Sequence, residues 1–203
     1  MEAAGPQQMY VHYQQVGEIH AAVIVGDVGA VRGPARALAS AGSTHGAGSD
    51  AAWDLMQGEA RVIQGQSEID DIARSVARMG MACGACHTAV GDGPEMHPGD
   101  APPSSQNPGA HMTRHQWGLD RMWEGLVGPS EASWAAGSGA LGDEAMQLGS
   151  GNWSDEVEQL TDLVHELGDE ARHTADWHGR ADIYAKLLAS CSACHQDLNV
   201  RMR

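Results

Sequence analysis

Apolar residues along this chain recur at intervals of three and four, the spacing of one face of an α-helix, and no useful stretch alternates as a half-buried strand would. Met9, His12, Val16, Ile19 and Val23 show the pattern and fall on one stripe. Glycine and proline punctuate the chain beyond that stripe. "GDVGAVRGP" ends the first predicted helix and "SAGSTHGAGSD" the second, with Asp50 placed as N-cap ahead of "AAWDLMQGEARVIQ". A fourth helix, near 68–87, finishes on a cysteine cluster. The order then repeats, with "VGPSEASWAAGSGAL" after another first helix, Ser154 or Asp155 opening the next, and a last helix ending at His195. The predicted fold class is all-α.

The repetition extends to residue types. Met9 aligns with Met112, His12 with His115, Val16 with Leu119 and Ile19 with Met122, at an offset of 103. Ala73 aligns with Ala181, Ala77 with Ala185, Met79 with Leu187 and one cysteine cluster with the other, at an offset of 108. An inter-helix loop absorbs the difference. The stretch 91–110, "GDGPEMHPGDAPPSSQNPGA", breaks every periodic pattern and reads as a linker. The expected organisation is a tandem duplication of a four-helix bundle, residues 1–100 and 101–203, each about the size of one bundle.

Each half ends on the same chemistry. "CGACH" at 83–87 and "CSACH" at 191–195 are Cys-x-x-Cys-His, the attachment signature of c-type haem. On a helix, positions i, i+3 and i+4 share a face, so two thiols and an imidazole address one cofactor edge. The thiols of Cys83 and Cys86, or Cys191 and Cys194, add to haem vinyl groups, and His87 or His195 turns to the iron as proximal ligand. Two other uses compete. Thioredoxin-like chemistry needs a βαβ context that this chain lacks, and one all-thiolate zinc site from four cysteines leaves two adjacent histidines unexplained. Haem attachment consumes all four cysteines, so neither a disulfide nor a free thiol is expected.

With the motif at the C-terminal end of a fourth helix in each half, the chain resembles di-haem c-type cytochromes, and within them bundles of the cytochrome c′ type. The resemblance implies two covalently attached haems c, and a residue of each first helix facing the free side of the iron. Met9, His12 and Val16 are the candidates in one half, Met112, His115 and Leu119 in the other. His12 and His115 are favoured as sixth ligands, because histidine suits iron and recurs at matched positions on otherwise apolar stripes. Methionine ligation, or an open site beside Val16 and Leu119, remains an alternative. His20, His45, His97, His111, His165, His173 and His178 are expected in solvent or loops, and of these only His111, one turn before His115, is kept as a further candidate. Arg78 and Lys186, matched across the halves, are candidates to pair with haem propionates or to sit on a solvated face.

Composition sharpens the reading in two places. Phenylalanine is absent and aromatic residues are few, so a flat cofactor or an alanine- and leucine-rich packing must fill the interior. Twelve basic against 27 acidic side chains, a net charge of −15, argue against nucleic acid and anionic membrane, and favour a redox partner protein with a basic docking face. No apolar run is long enough to span a membrane. The start "MEAAGPQQMY" has no signal-peptide pattern, so the chain shown is expected to be mature or trimmed. The resemblance implies haem attachment outside the cytoplasm, hence a periplasmic or exported protein. The expected function is single-electron transfer between redox partners, not catalysis. Binding or sensing of nitric oxide or carbon monoxide at an open iron, and a small di-haem redox enzyme, are the rivals, and nothing in the sequence bars a homo-oligomer.

Overall fold

The computed structural model describes residues 6–42, 50–91, 93–142 and 153–200. Eight helices and no strand occur among them: α1 Pro6–Ile24, α2 Arg32–Ser40, α3 Asp50–Gly65, α4 Ile69–Val90, α5 Pro108–Val127, α6 Glu131–Gly142, α7 Asp155–His173 and α8 Trp177–Asp197. The protein is all-α. No described helix is long and apolar enough to cross a membrane.

Local chemistry sets the helix ends. Asn107 accepts a hydrogen bond from the Ala110 N–H at 3.2 Å with Pro108 at the first turn, so α5 begins inside the stretch expected to be linker. Ser154 caps α7 by accepting from Val157 N–H, and acidic residues fill the first turn while Arg172 and His173 sit in the last, both favourable to the helix dipole. Asp176 does the same for α8 through Gly179 N–H. Helix α4 runs past His87 to Val90, where Gly91 takes φ +70° and returns its N–H to the His87 carbonyl. Only a residue at ease in the left-handed region closes a helix this way, and glycine is the usual one.

Helices α1 to α4 each pack on the next, and α1 closes on α4; α5 to α8 repeat this, with α5 closing on α8. The two sets meet through α4 against α8 and α5, and through α1 against α8. Buried apolar side chains form one continuous cluster through both sets, from Val16, Ile19 and Val23 to Leu119, Met122 and Leu126. At the centre, His20 of α1 lies 5.3 Å from the Trp123 ring of α5, and these are positions matched by the 103-residue offset. Tyr184 of α8 stacks beside both. Its hydroxyl donates to the Leu119 carbonyl at 3.3 Å, so His20 Nε2–H is left to donate to it at 2.5 Å.

Candidate functional site

The end of α4 presents Cys83, Cys86 and His87 to a cavity of about 660 Å³. Across it stand Met9, His12 and Val16 of α1, with Trp53 and Met56 of α3 at the side. Pockets for drug-sized ligands run from about 300 to 1,000 Å³, so a large flat cofactor fits this volume. His12 is buried, and its ring lies 5.0 Å from that of Trp53. The first-half thiols, the motif histidine and the three α1 candidates facing it therefore share one space.

Cys191, Cys194 and His195 of α8 line a second cavity together with Met112, His115 and Leu119. The same offsets recur around the walls. Ala52, Trp53 and Met56 of α3 in the first cavity match Leu160, Thr161 and Val164 of α7 in the second, each 108 positions on. The donor set suits the same group, yet this space is only about 130 Å³, below the range for a large ligand. Seating a large cofactor here requires side chains of α5 and α7 to part.

The two motif histidines are oriented by the opposite set of helices. His87 Nδ1 lies 2.8 Å from the carbonyl oxygen of Val127, the last residue of α5. His195 Nδ1 lies 3.0 Å from that of Ile24, the last residue of α1. A carbonyl only accepts, so Nδ1 carries the proton in both and Nε2 keeps the lone pair that binds a metal. A donor bond of this kind fixes the tautomer and raises ligand basicity. The bonds are reciprocal, and Ile24 and Val127 are themselves 103 positions apart. Close packing enforces the contact, because a Cβ on Gly84 would run into the Leu126 carbonyl.

The four cysteines form no disulfide. Burial, with the neighbouring sulfur of each motif adding to it, pushes the Cys83 and Cys191 thiols up to about 12, so both are neutral thiols at ordinary pH.

Three histidines expected in solvent or loops are buried instead: His20, His111 and His165. His20 belongs to the central aromatic contact, and burial takes its pKa down to about 4. His111 and His165 pack against His115, with ring centroids 4.0 Å (111 to 115), 5.1 Å (115 to 165) and 5.4 Å (111 to 165) apart. The i, i+4 spacing of His111 and His115 was the sequence signal for this group; nothing local ties His165 to it. His97, His173 and His178 are exposed as expected, and His45 lies outside the described residues. Arg78 pairs with Glu59 at 3.5 Å, and Lys186 is exposed. Protein-family models, curated proteins and solved structures offer no match to this chain.

Proposed function

We propose that this chain is a di-haem c-type cytochrome that passes single electrons between redox partners. The observation that carries the reading is the recurrence of one arrangement: two thiols and a histidine on one wall of a cavity, a second histidine on the other, and the first histidine tied through Nδ1 to a carbonyl. Haem c held through Cys83 and Cys86, and through Cys191 and Cys194, supplies one-electron chemistry at its iron.

The chain's own residues do the rest. His87 and His195 offer Nε2 in a fixed orientation, and His12 faces His87 across the first cavity. His115 holds the matched position in the second and would serve there as the partner ligand to a haem iron held by His195. Apolar walls exclude water, which keeps the reacting centre in a low-dielectric surrounding. Matched lining positions and reciprocal bonds support a tandem duplication of a four-helix bundle, 1–100 and 101–203. A net charge of −15 draws in a partner with a basic face and makes the encounter salt-sensitive. On this reading the protein works in the periplasm or outside the cell. The second reading, gas binding at an open iron, draws on one observation: His115 is shared with two other histidines.

Intact mass and absorption spectra with and without carbon monoxide test the proposal on the wild type, His12→Ala and His115→Ala. Two haems per chain, a low-spin spectrum inert to the gas, and one haem opened by each substitution are the expected results. A polypeptide mass without haem overturns the proposal. A wild type that already binds the gas at both haems moves the function to gas binding.

A further inference from the structure

The second set of helices holds three buried imidazoles that electron transfer does not use as a group. One nitrogen from each of His111, His115 and His165 lies within 4.8 Å of those from the other two. His165 Nδ1–H donates to the Leu141 carbonyl at 2.6 Å, which leaves Nε2 for the cluster. His115 Nε2 is buried and makes no hydrogen bond. A neutral imidazole brings one acceptor nitrogen, and burying it without a partner is unfavourable. Burial first, then the neighbouring His111 and His165, depress the His115 pKa to about 3, so its ring is neutral and its lone pair available.

We propose that His111, His115 and His165 form a binding site for a divalent transition ion, with zinc or copper the best-matched class. Imidazole suits both ions, and zinc–nitrogen bonds of about 2.0–2.1 Å require the three nitrogens to close to about 3.3 Å, a contraction within reach of small side-chain rotations. The hydrogen bond from His165 to Leu141 is the outer partner that metal-bound histidines characteristically have. Three neutral ligands leave a fourth position for water or an anion. His115 and Thr161 both line the second cavity, whose 130 Å³ exceeds the roughly 10–15 Å³ that one water needs. The site goes beyond the cytochrome reading and stands without it, and an ion held there takes His115 away from the second haem.

The chain carries its own control. The positions matched to His111 and His165 in the first half are Gln8 and Gln57. Gln57 Nε2 donates to the Ala41 carbonyl at 2.6 Å and to that of Leu38 at 3.4 Å, and Leu38 is the residue matched to Leu141. A glutamine at 165 therefore preserves the structural bond.

Equilibrium dialysis of chelator-treated, tag-free holoprotein against zinc is the test, on the wild type and on the His111→Gln, His165→Gln double variant. The expected result is one zinc retained per wild-type chain and binding at least 100-fold weaker in the variant. Equal retention by both, with surface histidines such as His173 and His178 accounting for it, overturns the site. Copper(II) spin resonance on the wild type decides the matter even where the variant misfolds, since a signal without nitrogen ligands overturns it too. Haem mass and spectra, read from the same samples, separate this outcome from failure of the cytochrome proposal.

Discussion

The two cavities are walled by matched residues and still differ roughly fivefold in volume, about 660 Å³ against about 130 Å³. Glycines account for much of that. In the second set Gly137 sits against Gly118 and Gly168 against Gly142, so closely that a Cβ on Gly137 or Gly168 would strike the facing backbone. The positions 103 or 108 residues earlier are Pro34 with Gln15, and Ala60 with Ala39. Side chains hold α1, α2 and α3 apart where bare backbone lets α5, α6 and α7 approach. The close approach brings His165 up to His111 and His115 and leaves little space below them. One architecture thus yields a roomy pocket in one half and a compact histidine cluster in the other, through a handful of small residues.

The strongest way to break this comparison is at the cysteines. Under the di-haem proposal, Cys83→Ser with Cys86→Ser, and Cys191→Ser with Cys194→Ser, are each expected to remove one covalent haem, read as the mass of a single haem per chain; loss of both from either double variant would show that the cavities are not independent. Next comes the glycine spacing. Gly137→Ala forces α6 off α5 and is expected to destabilise the fold by about 1–3 kcal/mol, whereas Gly17→Ala, with open space around it, leaves the melting temperature unchanged or raises it.

A pH titration of stability probes the central pair, where the first half contributes an ionisable His20 and the second Trp123. The folded-state pKa of His20 is depressed to about 4 from 6.5, so below about pH 6.5 the unfolded chain binds a proton that the folded chain refuses. Stability is full above that pH and falls as pH drops toward 4. Between pH 7.5 and 5 the loss attributable to His20 is about 2 kcal/mol, measured by denaturant unfolding, and His20→Gln is expected to flatten that slope.

The smallest effect concerns Arg180, which is buried, lies over the Trp134 and Trp177 rings, and reaches Glu131 with two bonds of 2.6 and 2.7 Å. The matched first-half positions are Ile72 and Val28. Glu131 is largely exposed, so Glu131→Gln is expected to lower stability by about 1 kcal/mol or less in thermal unfolding.

Much of the fold is legible in the sequence alone. Apolar spacing marks helices such as α3, α4 and α7, because a packed helix face leaves a periodic trace, whereas the alanine- and glycine-rich α6 leaves almost none; the Cys-x-x-Cys-His spacing places three side chains on one wall. The carbonyls of Ile24 and Val127 leave no such trace, since every residue has one and only the docking of helices selects which is used. His165 stays hidden for a related reason. It joins His111 and His115 from another helix, and the approach that unites them depends on glycines whose partners are scattered through the sequence.

The exchanged carbonyls also set an order of assembly. Chains fold largely as they emerge, amino-terminal part first. When α4 is complete, Cys83, Cys86 and His87 are in place, but the backbone oxygen that orients His87 belongs to Val127, still to be made. The oxygen for His195 belongs to Ile24, present almost from the start. The orientation of the earlier motif therefore depends on residues made after it, while that of the later motif depends on residues made long before it.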